Sequence, residues 1–269
     1  MTLEYAQRWE AGRARWVPRR HVVDTNKLEV ALIGEAEARD FVLTHHYSGS
    51  YPAARLRAGL FMAGRLVGVA VFSEPANPAT IPAWTNQVYS RAQGVEFGRF
   101  VLLDHVGFNA ESFFWARSRR LLRVHKPEVR VMISYSDPVR REALSGEVVM
   151  PGHVGQIYQA TNAAYQGRAS SRTLYLDPHG KVVSPRALSK IIAGARGQRY
   201  ARALLEEASR TRQRTGESAR QWVERARGHL RKLRHPGNHV YLWGLTRRDR
   251  VPKGLTPPRQ VDPVQLGLL

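Results

Sequence analysis

The stretch whose reading decides the fold is Val95-Glu-Phe-Gly-Arg-Phe-Val-Leu-Leu-Asp-His-Val-Gly-Phe-Asn-Ala-Glu-Ser112. Its first half, Val95–Leu103, is an apolar run of strand length, rich in Val and Phe. A helix begins at Asn109, with Asn109 as the expected N-cap and Glu111 in the first turn, where the helix dipole favours a negative charge. Working outward, Arg57–Phe61 and Leu66–Phe72 are two apolar runs joined through Ala-Gly-Arg, and Gly64 suits the positive φ of a hairpin turn. Downstream, Val129–Ser134 reads as a buried strand ended by Tyr-Ser-Asp-Pro, and Leu144–Gly152 as a loop. The segment His153–Gly167, "HVGQIYQATNAAYQG", then reads as a helix with Tyr158, Asn162 and Tyr165 on one face at i, i+4 and i+7. Arg172–Leu176 and Lys181–Val183 flank Asp-Pro-His-Gly, a hairpin-like turn. Strands alternating with helices in this order predict a mixed α/β (α+β) layer with no internal repeat.

The chain has 42 Lys+Arg against 22 Asp+Glu, a formal charge of +20 and a pI near 11.1. Such a field gathers polyanions, so nucleic acid is the first partner to consider. From Arg186 onward there are 19 Lys+Arg and 6 Asp+Glu, net +13. That portion is Ala-, Leu-, Glu- and Arg-rich and reads as helical. Arg210, Arg212, Arg214, Arg220, Arg225, Arg227, Arg231, Lys232 and Arg234 are its candidate DNA-phosphate contacts. The expected organisation is a catalytic domain over 1–185, the basic helical region over 186–234, a last strand within 235–250 that rejoins the sheet, and a poorly ordered Pro-rich tail over 251–269. With no Cys there is no disulfide, thiolate metal site or Cys nucleophile. No apolar run reaches spanning length and no secretory segment is present, so the expectation is a cytoplasmic protein without a membrane partner.

Polar clusters sit at the ends of the apolar runs: Thr44–Gly49 with His45, His46 and Tyr47; Glu96–Arg99; Ser134–Asp137; and His153–Gly167. Taken singly, the His pair is a core or surface feature, Glu96 and Arg99 an ion pair, and Asp137 a turn former ahead of Pro138. Taken in order, Glu96-Phe-Gly-Arg-Phe-Val, Asn109-Ala-Glu-Ser, Ser136-Asp137 and Gly-His-Val-Gly-Gln-Ile-Tyr-Gln-Ala-Thr-Asn-Ala-Ala-Tyr-Gln-Gly resemble the Mom family of DNA-modification proteins. The resemblance spans about residues 40 to 200, and the long Gly-His-x-Gly-x-Ile-Tyr-Gln-Ala run is its most specific part.

The resemblance implies a divergent GNAT acyltransferase fold, with a mixed central sheet flanked by helices. It implies an enzyme, a transferase that converts the N6 amine of adenine in double-stranded DNA to a methylcarbamoyl derivative and so protects phage DNA from restriction. The catalytic positions it implies are His46, Tyr47, Arg99, Ser112, Asp137 and Tyr158, with His153 beside them. A small-molecule group donor is implied too. Acyl-CoA is the donor of ordinary GNAT enzymes, but Asp104–Ser112 lacks their glycine-rich pyrophosphate loop and sets Glu111 where the pyrophosphate would lie, which counts against it. Iron held by His46, Tyr47 and Asp137 is an alternative cofactor.

In a flipped-base reaction Tyr47, Tyr158 and Tyr165 suit stacking, while Gln159 or Asn162 suits the adenine edge. Asp137 is then the candidate acceptor of the N6 proton, and Arg99 either holds an anionic donor or fixes Glu96. Tyr165 as the working phenol, with Tyr158 packing, stays open. The competing readings are a GNAT-type acyltransferase acting on RNA or another amine, and a non-catalytic DNA-binding protein with a degenerate acyltransferase fold.

Overall fold

The computed structural model describes residues 4–259. The chain divides into two units: Met1–Pro138, His153–Arg168 and Asn238–Leu269 form one, Val139–Gly152 and Ala169–Gly237 the other.

The first unit opens with an antiparallel hairpin, β1 (Tyr5–Glu10) and β2 (Arg13–Pro18). There follow β3 (Leu28–Leu32), α1 (Glu35–His45), β4 (Ala54–Met62), β5 (Arg65–Ser73), the short α2 (Thr80–Trp84), β6 (Gly94–Leu102), α3 (Ala110–His125) and β7 (Val131–Ser136). The second unit supplies β8 (Arg141–Glu142) and β9 (Val148–Met150) before the chain returns for α4 (Gln156–Ala160) and β10 (Ala164–Arg168). Then come β11 (Arg172–Leu176), α5 (Pro185–Ile192), α6 (Gln198–Ser209), α7 (Ala219–Gly228) and β12 (Arg231–His235), all in the second unit, and finally β13 (His239–Gly244) in the first.

Seven strands make the main sheet in the order β10-β13-β7-β6-β5-β4-β3. The mixed α/β architecture expected from the sequence is thus present. Every pairing in this sheet is antiparallel except β6 with β7, which is parallel and confined to Gly94–Glu96 against Val131–Ile133. Beyond that short ladder the two strands part, held at the fork by the Ser134 hydroxyl donating to the Phe97 carbonyl at 2.9 Å. On its other edge β6 carries a bulge: Val71 faces Arg99 and Phe72 faces Phe97, leaving Gly98 as the extra residue. A Cβ on Gly98 would lie 2.5 Å from Ser73 Oγ, so any larger residue at the bulge must displace the buried Ser73 hydroxyl. Phe72, Phe97, Phe114, Tyr158, Tyr241 and Trp243 are buried in the core at this level.

Four details differ from the sequence-based expectations. Asn109 stands at the N-cap position of α3 but its side chain does not cap the helix: it has helical backbone angles, its side-chain oxygen accepts from Val23 N at 2.9 Å, and its amide donates to Val23 O at 2.8 Å. The segment His153–Gly167 is not one helix. Asn162 takes φ +61°, a left-handed conformation that Asn tolerates, and this ends a five-residue α4 and redirects the chain into β10, where Tyr165 pairs with Tyr241. Leu144–Gly152 contains β9 rather than loop alone. The tail is ordered through 259: Leu255 N donates to Tyr165 O at 2.7 Å and Gln166 to Pro252 O at 3.1 Å, covering the β10 edge. The remainder of the expected tail, 260–269, lies outside the described residues.

The second unit has its own core, in which α5, α6 and α7 pack Leu188, Ile191, Leu205, Trp222 and Val223 together. This unit takes in 139–152 and 169–185 as well as the basic helices expected over 186–234. Among the described residues no helix is long and apolar enough to cross a membrane.

Candidate active site

A cavity of about 190 Å³ opens where β6 and β7 part. Its walls come from five places: Gly98 and Phe100 on β6, Tyr135 on β7, His46 and Tyr47 after α1, Phe108, Glu111 and Ser112 at the start of α3, and His153 with Gly155 through Tyr158 around α4. The β1–β2 hairpin and the turn after it add Ala6, Gln7 and Arg19.

His46 is 7% exposed, stacks on Tyr47 at 4.3 Å, and accepts the Ser48 backbone N–H on Nδ1 at 3.1 Å. Accepting there places the neutral ring's proton on Nε2. Burial holds its pKa well below the usual histidine range, reinforced by the Arg99 charge and by the repulsion that His153 exerts when it is protonated. Because an unfolded His46 takes up its proton near pH 6.5 and the folded one does not, its contribution to stability is complete above pH 6.5 and is lost as pH falls below it. His45 and His239, also lowered chiefly by burial, act in the same direction. Asp104, whose pKa burial raises to about 6, and the raised carboxyls of Glu96 and Glu111 act in the opposite direction, so the test is a difference. In chemical denaturation between pH 7 and pH 5, His46→Asn should remove from the native slope a fall in stability of up to about 1.4 kcal/mol per pH unit. An unchanged slope would contradict the buried neutral ring.

Tyr158 is 8% exposed, with Tyr241 and Trp243 at 5.3 and 5.4 Å between ring centres. Burial raises its pKa, and hydrogen bonding to Ser134 draws it back, so at neutral pH it is a phenol and a proton donor. Burial likewise pushes up the Tyr135 phenol. The Ser112 hydroxyl donates to Asn109 O at 3.1 Å, and the His153 ring stands edge-on to Tyr47 at 6.2 Å.

Of the residues expected from the sequence, His46, Tyr47, Ser112, His153 and Tyr158 are therefore brought together. Others lie elsewhere. Arg99 donates to Ser50 O and Ser50 Oγ, both at 2.9 Å, and to Gly98 O at 2.5 Å, so it ties the loop after Tyr47 to the β6 bulge. Glu96 does not line the cavity; burial raises its pKa against the pull of Arg99. Asp137 also lies off the cavity lining, and its carbonyl accepts from His153 N at 2.8 Å, which fixes the start of the His153 loop. Gln159 donates to Val154 O, Tyr241 OH and Pro258 O, each at 3.1 Å, and is a clamp inside the fold. Tyr165 pairs with His239 Nδ1 at 2.8 Å on β10. Asn162 lines a second, more open hollow with Trp115, Arg119 and Trp243, which shares Ser112 and Ala160 with the first. The sequence reading did not name Gln7, Arg19, Tyr135 or Gln156 as site residues, although Tyr135 and Gln156 fall within two of its polar clusters.

A family model described as the Mom protein family matches residues 27–258. The chain belongs to the Mom family. Among solved structures, a "Tandem GNAT protein from the clavulanic acid biosynthesis pathway (without AcCoA)" matches at 14% identity over 75% of this chain and 67% of its own, with a TM-score of 0.33, too low to carry an argument. A search of curated proteins returns no match. The N-terminus of α3, where the GNAT resemblance would put a coenzyme A pyrophosphate, carries the Glu111 carboxylate paired with Arg8 at 2.9 Å, a negative charge that does not suit an anionic group there. Asp137 is not among the residues that line the cavity with His46 and Tyr47; among the described residues no group of three His, Cys, Asp or Glu side chains is placed to hold a metal ion.

In the second unit, Arg225 is held by Glu217 through two bonds of 2.8 and 2.7 Å. Arg212 lies 3.7 Å from Glu206, Arg227 pairs with Glu224 at 3.1 Å and covers the Tyr175 ring, and Arg231 donates to Glu142 O. Arg210 caps α6 with φ +53°. Arg214 and Arg220 are exposed; Lys232 and Arg234 are exposed on β12, opposite Tyr175 and Thr173.

Proposed function

We propose that the chain is a DNA-modifying transferase that converts the N6 amine of adenine to a methylcarbamoyl derivative, with double-stranded DNA and a small-molecule group donor as its substrates. The observation that carries this reading is the convergence of His46, Tyr47, Ser112, His153 and Tyr158, from separate parts of the Mom-matched segment, on one cavity at the β6–β7 fork.

The chemistry asks three things of the site. The adenine must leave the duplex stack, at a cost of a few kcal/mol, and aromatic walls repay that by stacking. Tyr47, Tyr158 and the Phe100–Phe108 side of the cavity offer such surfaces. The N6 nitrogen then forms a bond to the donor carbon as the bond to the leaving group breaks, and N6 gives up one proton. A neutral imidazole is suited to receive it near pH 7. His153 is the better candidate, because His46 places its proton, not its lone pair, on Nε2. Tyr158 and Ser112 are hydroxyl donors for the oxygen of the transferred group. In this account Arg99 and Asp137 act by position, holding the His46–Ser50 turn and the His153 loop.

The second unit, with 18 Lys+Arg and 7 Asp+Glu for a net of +11, supplies the phosphate contacts. Duplex affinity should fall steeply with salt, and Lys232→Ala with Arg234→Ala should reduce the slope of log K against log salt by about 2, as measured by fluorescence anisotropy. A shallow native slope would count against DNA as the partner. Digestion of DNA from expressing cells, followed by mass spectrometry of the nucleosides, tests the modification itself.

A further inference from the structure

The family model begins at residue 27, yet Ala6, Gln7 and Arg19, from the segment ahead of it, line the candidate cavity. That segment is stitched to the loop and helix start that follow β6. Arg8, 2% exposed, donates to Glu111 at 2.9 Å and to Gly107 O at 3.1 Å. Arg15 lies 3.1 Å from Asp104, and Phe108 N donates to His21 O at 2.6 Å. Together with the Val23–Asn109 bonds, these hold the turn after β2 against the mouth of the cavity.

Arg19 sits at that turn. Its guanidinium lies over the Phe108 ring at 5.1 Å, donates through Nε to Tyr5 O and through Nη2 to Gln156 Oε1, both at 3.3 Å, and lines the cavity. Both acceptors are neutral. The carboxylate whose field Arg19 shares, Glu111, is already paired with Arg8. A guanidinium has five N–H groups in a planar fork matched to carboxylate and phosphate, and only two of these have the partners named. Stacking on Phe108 fixes the plane of the fork before any ligand arrives.

We propose that Arg19 is a substrate-binding residue that takes an anionic oxygen group, a carboxylate or a phosphate, of the reactant in this cavity, and that the N-terminal hairpin is part of the working site. The assignment rests on the transferase reading above. Arg19→Gln and Arg19→Lys, made in the full chain, test it by three readouts: modified adenine in cellular DNA, affinity for a duplex oligonucleotide over a salt series, and melting temperature. Arg19→Gln should lose roughly tenfold or more of the modification; Arg19→Lys, which keeps the charge but neither the fork nor the stack, should lose less than Arg19→Gln; and both should melt within a few degrees of native. If the Gln variant keeps the native salt slope, the anion belongs to the donor; if the slope falls by about 1, it is a DNA phosphate. Native modification by Arg19→Gln, or equal loss in Arg19→Lys, overturns the assignment alone. A native chain that leaves adenine unmodified overturns the transferase reading and this assignment with it.

Discussion

Gly155→Ala is expected to lower adenine modification by roughly a hundredfold while leaving the chain folded. Gly155 has φ +72°, a backbone that costs an L-residue about 1–2 kcal/mol. Strain is the smaller part of the effect. A Cβ at 155 would lie 2.6 Å from Tyr158 Cδ2, 3.1 Å from Tyr241 Cε2 and 3.2 Å from Ser136 Oγ. Tyr241 and Ser136 belong to central strands and are fully buried, so Tyr158 is the group that gives way. Its ring forms one wall of the cavity, and a shift of about 1 Å there misplaces whatever reacts against it. The outcome to measure is modified adenine per total adenine, beside a melting curve. Native modification from a folded Gly155→Ala chain would remove Tyr158 from the working site. Tyr165→Phe, by contrast, removes a phenol that pairs with His239 on β10 away from the cavity, and modification should persist.

The second large effect is on stability. Arg8→Ala should cost about 3–5 kcal/mol, because it leaves Glu111, whose side chain is 18% exposed, without its cation. Burial already raises the Glu111 pKa, with Arg8 and then Arg19 opposing it, so removing Arg8 makes the carboxyl more easily protonated. Replacing both partners by apolar residues of similar size, Arg8→Met with Glu111→Leu, should recover most of the loss, since the pair itself repays little beyond its own desolvation. Denaturant unfolding of Arg8→Met, Glu111→Leu and the double closes the cycle, beside Arg8→Ala. A double variant as unstable as Arg8→Ala would mean that Arg8 matters chiefly for its bonds to the Val106 and Gly107 carbonyls, at 3.4 and 3.1 Å, rather than for the ion pair.

Much of the sheet was legible because its strands are written as short apolar runs bounded by turn residues. The β4–β5 turn at Ala63-Gly64 followed from composition, and both residues take positive φ. Ala11-Gly12 takes the same left-handed pair of conformations and ends in the same Arg, so the β1–β2 hairpin carries the signal that marks the β4–β5 turn, masked by strands that are far more polar. What periodicity missed was decided by tertiary contacts. The spacing of Tyr158, Asn162 and Tyr165 matches a helical face, yet pairing of 164–168 with β13 wins, and Asn162 supplies the left-handed turn. Asn109 looked like a cap because Asn commonly caps; here its amide holds the backbone of Val23, a contact 86 residues away that no local pattern encodes. For the site, the polar clusters at strand ends marked the right neighbourhood, but which side chains face the cavity depended on the Gly98 bulge and the β6–β7 fork. These send Arg99 to Ser50 and leave Tyr135 on the wall.

The central claim is that this cavity modifies adenine in DNA. Its most direct test is mass spectrometry of nucleosides from the DNA of cells expressing the native chain, beside cells expressing Gly155→Ala. The account predicts an additional adenine-derived nucleoside with the native chain and its near-disappearance with the variant. Adenine left entirely unmodified by a folded, DNA-binding native chain would contradict it.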